Sequence, residues 1–290
     1  MIRQVWVLGL AIMIGAGSLG ASPSRAAPTS SEGSQSIEEF VNQLFVDSVP
    51  FGKIRKFAEN PEAIETLKNL LEDCKSGKKK GSPFCSTIVV TLGLIGDGNV
   101  EVRDAITQFI KKDQPFEFQA TKDALMALGY WISITEKKNP EDQSVTQAIN
   151  DLVSCITTAD NGSPGHNNSN KLSSDTPHYQ PGNPDRFTKT LQCDLPNTAE
   201  RKHVRRSAIL GLALSGSQQP KVKTTLTALL DEAEVGTSFK ALIIEALDAH
   251  NRIASLGLAC YYEKESKECQ DNIKNQDSQN SGNPKPHQSG

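Results

Sequence analysis

Histidine and aspartate side chains gather in one stretch of the chain, where they could hold a metal ion. Residues 158–198 contain the set His166, His178, Asp160, Asp175 and Asp185. Imidazole nitrogens and carboxylate oxygens are common ligands of divalent metals. The same stretch is rich in Asn, Gly and Pro, so a solvated loop is the favoured interpretation. We therefore expect no metal or other cofactor, and we keep an exported metal-dependent or hydrolytic enzyme with its site in this insertion as the alternative function.

The sequence outside residues 158–198 contains none of the common catalytic motifs that we considered. The chain has no GxSxG nucleophile elbow, no HExxH zinc motif and no phosphate-binding P-loop. The remaining histidines, which are His203, His250 and His287, are expected at the surface. The sequence therefore favours a protein that is not an enzyme.

The N-terminus has the pattern of an export signal. Arg3 supplies a positive charge, residues 5–17 are apolar and uncharged, and small residues follow. Ser24-Arg25-Ala26-Ala27 offers a small-x-small cleavage pattern. The apolar run is too short to span a bilayer comfortably. We expect residues 1–26 to be a signal peptide cleaved near Ala26, and the mature protein to be periplasmic or secreted.

A repeated apolar pattern organises most of the chain. In four segments, positions 1, 4, 5, 8 and 9 are small or hydrophobic, a spacing that forms one face of an α-helix. These first helices carry Ala63, Thr66, Leu67, Leu70 and Leu71; Val102, Ala105, Ile106, Phe109 and Ile110; Val145, Ala148, Ile149, Leu152 and Val153; and Val222, Thr225, Leu226, Leu229 and Leu230. The second helices carry Phe84, Ile88, Val89 and Leu92; Ala120, Ala124, Leu125 and Leu128; Val204, Ala208, Ile209 and Leu212; and Phe239, Ile243, Ile244 and Leu247. Stacked pairs of this kind bury a continuous core that one pair cannot form alone.

The repeat resembles the HEAT family. The segments 89–97 and 208–216 look like that family's second-helix endings, and their glycines fit a left-handed helix C-terminus. Asn99 is expected to cap the next helix. The resemblance covers residues 50–257 and implies an all-α, right-handed α-solenoid of about four to five helix pairs. A hydroxylase with a HEAT-like fold binds iron through His-Glu pairs. This chain has no counterpart of those pairs, because no histidine is followed directly by a glutamate.

The predicted domain organisation follows from the repeat and the composition. Residues 27–36 are expected to be a disordered linker, and residues 37–270 the solenoid, interrupted by the polar insertion 158–198. Residues 271–290 are rich in Asn, Gln, Ser, Gly and Pro, and are expected to be a disordered tail.

The six cysteines are an even number, which suggests disulfides in an oxidising compartment. Six cysteines allow fifteen pairings, so the count alone fixes none. Antiparallel helices joined by a turn would bring Cys74 and Cys85 together, a bridge between Cys155 and Cys193 would close the polar insertion at its neck, and Cys260 and Cys269 remain. The predicted bridges are Cys74–Cys85, Cys155–Cys193 and Cys260–Cys269. Buried free thiols are the alternative.

The HEAT resemblance implies that the second helices line a concave, partner-binding face. The residues between their core positions are Ser86, Val90, Lys122, Met126, Arg206, Leu210 and Glu245. A partly apolar strip beside two cations suits a segment of another protein or peptide. Packing against neighbouring helices explains Val90, Met126 and Leu210 equally well.

Overall charge limits the other partners. The formal net charge is −3, without the strong basic charge typical of nucleic-acid binding. A lysine-rich turn formed by Lys75, Lys78, Lys79 and Lys80 could touch an anionic membrane surface, although a solubilising turn is the favoured interpretation. The sequence therefore predicts a non-enzymatic interaction scaffold or adaptor that binds another protein or peptide and no nucleic acid.

Overall fold

The computed structural model describes residues 35–43, 49–78, 82–110, 118–158, 193, 198–267 and 269–274, and in them the chain is helical without any strand. The all-α prediction is confirmed for this part of the chain. The helices are α1 (Ile37–Val41), α2 (Phe51–Arg55), α3 (Pro61–Lys75), α4 (Ser82–Ile95), α5 (Val100–Ile110), α6 (Phe118–Lys138), α7 (Gln143–Thr158), α8 (Thr198–Leu214), α9 (Pro220–Glu232), α10 (Ser238–Leu256) and α11 (Leu258–Tyr262).

The helices pack in pairs, and one member of each pair joins a common layer. Helix α3 packs on α4, α5 on α6, α7 on α8, and α9 on α10. The helices α4, α6, α8 and α10 also pack against one another in chain order. We call these four helices the second-helix layer. It carries about half of the core residues and positions the candidate site.

The apolar columns predicted from the sequence are mostly buried or packed against the core. Leu92, Leu128 and Leu212 are fully buried at equivalent positions, and the equivalent Leu247 of α10 is half-buried. Ile244 in α10 is 53% exposed, so its predicted core position is wrong. Ile244 lies on α10, the last helix of the second-helix layer among the described residues.

Glycines allow α6 and α8 to approach backbone to backbone. A side chain at Gly129 would overlap the carbonyl oxygen of Gly211, and one at Gly211 would overlap the carbonyl oxygen of Leu125. Gly93 makes a similar approach to Ala127 between α4 and α6. The prediction that the glycines of both second-helix endings terminate helices is therefore wrong for Gly93 and Gly211, which lie inside helices.

Positive backbone angles occur where two of these helices do end. Gly98 has a φ of 77° and Gly216 a φ of 52°, conformations that favour glycine. Asn99 caps α5, as predicted, because its side-chain oxygen accepts the Glu101 N–H at 2.9 Å. Helices α4 and α8 therefore each stop in a short turn that leads directly into the next pair.

Three disulfides close local loops, and the predicted pairing is confirmed. The Cα atoms are 6.0 Å apart in Cys74–Cys85, 4.9 Å in Cys155–Cys193 and 4.6 Å in Cys260–Cys269. The first bridge joins the facing ends of α3 and α4. The second ties the end of α7 to the chain shortly before α8. The third lies within the C-terminal segment.

The two ends of the helical body are also ordered by local contacts. Ser36 and Glu39 form a reciprocal capping box at the start of α1, whose Ile37, Phe40 and Val41 are buried. Residues 271–274 are helical, so the structured part extends past the predicted boundary at Asp271. The predictions for the signal peptide, most of the linker, most of the insertion and residues 275–290 lie outside the described residues.

Candidate protein-binding face

The predicted binding residues lie along the second-helix layer, but they differ in accessibility. Val90 in α4 is 8% exposed and packs in the core. Its assignment to an accessible face is therefore wrong, because the side chain packs with the core, the alternative that the sequence left open. Ser86 is half-buried and Glu245 in α10 is exposed.

Four of these residues form a strip on the neighbouring helices α6 and α8. Lys122 and Met126 lie one turn apart on α6, and Arg206 and Leu210 lie one turn apart on α8. All four side chains are half-buried. We call these four residues the partner strip. It combines two apolar side chains with two cations on adjacent helices.

A buried carboxyl group lies beside the strip. Burial raises the pKa of Asp123, while the Ser86 hydroxyl, the Gln119 amide and the Lys122 charge oppose that rise. The Gln119 Nε2 donates to both Asp123 oxygens at 3.2 Å. Ser86 and Lys122 therefore have a local structural role next to Asp123 in addition to any role in binding.

Arginines join α8 to the start of α10. The Arg205 guanidinium carbon lies 4.8 Å from the centre of the Phe239 ring, a cation–π geometry. Arg206 donates through Nη2 to the Ser238 hydroxyl at 3.4 Å, near the long limit for such a bond. The Arg206 side chain is thus oriented across the surface between the two helices.

The C-terminal segment returns to the second-helix layer at an aromatic cluster. The Tyr262 ring stacks on Phe51 at 6.3 Å and meets Tyr130 edge-on at 5.9 Å. The hydroxyls of Tyr130 and Tyr262 form a hydrogen bond. Burial raises the pKa of both phenols, so they are neutral near pH 7. Tyr130 lies one turn beyond Met126 on α6, so the cluster adjoins the partner strip.

Sequence reasoning did not find this cluster. Tyr130 and Trp131 are both buried in α6. The partner of Tyr130 is Tyr262, at a separation of 132 residues, and the Tyr262 ring also stacks on Phe51. In the sequence, only the four-residue spacing of Lys122, Met126 and Tyr130 indicates that Tyr130 lies on the same helix face as the other two.

A charged brace holds the end of α4 next to the aromatic cluster. Arg55 contacts the Asp97 carboxylate at 2.5 Å and the Leu94 carbonyl oxygen at 2.7 Å, and Lys138 contacts Asp97 at 2.5 Å. Burial opposes ionisation of Asp97, but the two cations outweigh it and hold its pKa below the usual value. The brace links α2, the end of α4 and the end of α6.

Titratable groups elsewhere form no metal-binding cluster within the described residues. No group of three His, Cys, Asp or Glu side chains in that part of the chain could hold a metal. His203 is exposed, as predicted. His250 is buried inside α10, so its predicted surface position is wrong; burial and then the Lys223 charge lower its pKa. The metal-ligand set of residues 158–198 lies outside the described residues.

The lysine-rich turn is partly neutralised by neighbouring acids. Lys75 contacts Glu72 at 2.5 Å, and Lys78 contacts Asp73 at 3.4 Å. Lys79 and Lys80 lie outside the described residues. In the part of the chain that the structure describes, no helix is both long enough and apolar enough to cross a membrane.

Comparison with protein-family models, curated proteins and solved structures finds no match to this chain. The resemblance to HEAT repeats therefore stays a prediction from the sequence pattern.

Proposed function

We propose that the chain is a non-enzymatic, exported interaction protein that binds an acidic, partly apolar segment of another protein on the partner strip. In this proposal the helix pairs form a right-handed, HEAT-like solenoid, and the second-helix layer is its concave face. The packing of α4, α6, α8 and α10 in chain order supports that arrangement. The three disulfides support export, because such bridges persist mainly in oxidising compartments.

The observation that carries the proposal is the composition of the partner strip. Met126 and Leu210 keep part of their apolar surface accessible, and Lys122 and Arg206 lie one turn away on the same helices. Methionine adapts to differently shaped apolar partners. The charges of Lys122 and Arg206 attract carboxylate groups and increase the rate at which an acidic segment associates with the strip. A segment with alternating apolar and acidic side chains matches both features.

Selection from a random peptide library against the full chain tests this proposal. We expect the enriched peptides to combine acidic and apolar residues and to bind the purified chain in fluorescence anisotropy. Arg206→Glu with Lys122→Gln should weaken binding by about tenfold, since attraction at two positions is lost and one becomes repulsive. The charge of Lys122 is removed rather than reversed because it also stabilises ionised Asp123.

The matched control is Lys56→Glu with Lys223→Gln, which changes net charge equally at exposed positions outside the strip. Lys223 is neutralised rather than reversed because its charge acts on buried His250. The control should leave binding unchanged, and both double variants should keep the helical circular dichroism of the wild type. Enriched peptides without acidic residues, or equal affinities for the two double variants, would contradict the proposal.

A further inference from the structure

Helix α10 exposes an apolar side chain at a position where the earlier helices of the second-helix layer bury theirs. Val89, Leu125 and Ile209 occupy one place in the apolar pattern of α4, α6 and α8, and all three are fully buried. The equivalent Ile244 is 53% exposed. Val235, in the turn before α10, is 88% exposed, and these two are the exposed large apolar side chains of the described part of the chain. That exposed apolar surface is thus concentrated at one end of the layer.

Helix geometry places Ile244 on the side of α10 that faces away from α8. A side chain at Gly216, just past the end of α8, would lie 2.5 Å from Ile253 Cγ2, so Ile253 faces α8. Nine residues make two and a half turns of an α-helix, so Ile244 points in the opposite direction. Lys240 and Asp248 lie about one turn before and one turn after Ile244, on the same side of α10. We call Lys240, Ile244 and Asp248 the end row.

The end row is complementary to a second copy of itself. Its cation and its anion lie at equal distances on either side of Ile244, about 6 Å along the helix axis. When two copies of α10 cross in opposite directions with Ile244 on a two-fold axis, Lys240 of each copy lies opposite Asp248 of the other. A parallel pair would instead set like charges against each other. Rows of residues spaced by four run alongside one another at a crossing angle of about −50°, the commonest class of helix packing.

We propose that the end row forms the contact of a symmetric homodimer, in which two α10 helices cross antiparallel about Ile244 and pair Lys240 of each copy with Asp248 of the other. Asp248 is exposed and Lys240 is half-buried. The Lys240 Nζ lies 3.4 Å from the Ala233 carbonyl oxygen, near the long limit for a hydrogen bond, so the ammonium group can turn to a carboxylate. A second copy is the favoured occupant because a two-fold interface requires a surface that complements itself.

The expected dimer is weak. Each copy contributes one helix face with a single large apolar side chain at the axis, which is an interface at the small end of the range for specific association. We expect a Kd on the order of 100 µM. The inference uses neither Lys122 nor Arg206, so it stands or fails separately from the proposed function.

Sedimentation velocity of the full chain at rising concentration, up to about 1 mM, measures the association. We expect the wild type to form dimers at the upper concentrations. Ile244→Asp sets two carboxylates against each other at the axis and should weaken the dimer at least about 100-fold. A wild-type chain that stays monomeric throughout would overturn the inference.

Charge exchange tests the antiparallel pairing. Lys240→Asp leaves two acids in the end row, and Asp248→Lys leaves two cations. Each variant should associate with itself about tenfold more weakly than the wild type, because two attractive pairs become repulsive. An equimolar mixture of the two variants restores opposite charges in both pairs and should dimerise like the wild type, as should the chain that carries both changes. A mixture that associates no more tightly than either variant alone would overturn the inference.

The matched control is Lys56→Asp, which changes net charge as Lys240→Asp does at an exposed position outside the end row. It should dimerise like the wild type, and an equal loss in both variants would show that net charge and not the end row sets the association. Circular dichroism checks that each variant keeps its helices; if Ile244→Asp does not, the charge variants decide. Dimers that persist unchanged in Lys240→Asp would assign the contact to another surface and overturn the inference.

Discussion

Replacing Gly211 by alanine tests whether α6 and α8 meet at their backbones. The added methyl group would overlap the Leu125 carbonyl oxygen and lie 3.2 Å from Leu152 Cδ2. A flexible side chain can rotate away from a new methyl group, but a carbonyl oxygen inside a helix cannot. The two helices therefore have to separate or slide, which disturbs the centre of the second-helix layer.

Two opposing effects set the size of the change. Alanine in place of glycine favours an α-helix by about 1 kcal/mol. Overpacking a well-packed interior costs about 1–3 kcal/mol and sometimes more. Because the obstacle is backbone, we expect the upper part of that range and a net loss of about 1–2 kcal/mol. For a chain of this size such a loss lowers the melting temperature by roughly 2–8 °C.

Urea denaturation and thermal melting measure this loss against a matched substitution. Thr227→Ala in α9 places alanine at an exposed helix position, where it should be neutral or slightly stabilising. Gly129→Ala should be destabilising by itself, and adding it to Gly211→Ala should cost less than the sum, since both methyl groups enter one contact. If Gly211→Ala is as stable as Thr227→Ala, the close approach of α6 and α8 is refuted.

Three further changes probe the core, the charged brace and a disulfide. Leu128→Ala should cost about 2–5 kcal/mol in urea denaturation, because Leu128 is fully buried, and a loss below about 0.5 kcal/mol would contradict its place in the core. The pKa of Asp97 is lower in the folded than in the unfolded chain, so its stabilisation is complete above about pH 4 and is lost as the pH falls through the folded pKa. Asp97→Asn should thus destabilise the chain at neutral pH, with a difference from wild type that shrinks in acid and not in base. Replacing Cys155 and Cys193 together by serine should cost about 3–4 kcal/mol in the chain-entropy account, and non-reducing peptide maps that show free thiols in the wild type would contradict the bridge.

Local patterns predicted much of the helical core. Leu92, Leu128 and Leu212 occupy the same place in the apolar pattern of their helices. Helix periodicity therefore puts these three side chains on the same side of the layer. The disulfides could also be predicted, because helix ends that meet at a turn bring their cysteines together. The predicted core position of Ile244 was wrong because an apolar repeat does not show which helix is the last of the layer.

The contacts of Tyr262 and Glu263 with distant helices could not be predicted in the same way. Tyr130 and Tyr262 are 132 residues apart, and Gly52 and Glu263 are 211 apart. No local spacing connects such residues, because their contact depends on the path of the whole chain. The interior positions of Gly93 and Gly211 were missed for a related reason. In the sequence alone, a glycine is equally consistent with the end of a helix and with a close approach of two helices. The position of the neighbouring helix decides between the two.

Site-specific photo-crosslinking tests the central claim, that the partner strip of the second-helix layer binds a peptide segment. A photoreactive residue is introduced at Met126, at Leu210 or, as the control on α9, at exposed Thr227 of the full chain. A library-selected peptide is then added and the products are mapped by mass spectrometry. Binding on the strip predicts crosslinks from positions 126 and 210 that unlabelled peptide suppresses, with none from position 227. Crosslinks from position 227 alone, or equal yields from all three positions, would contradict it.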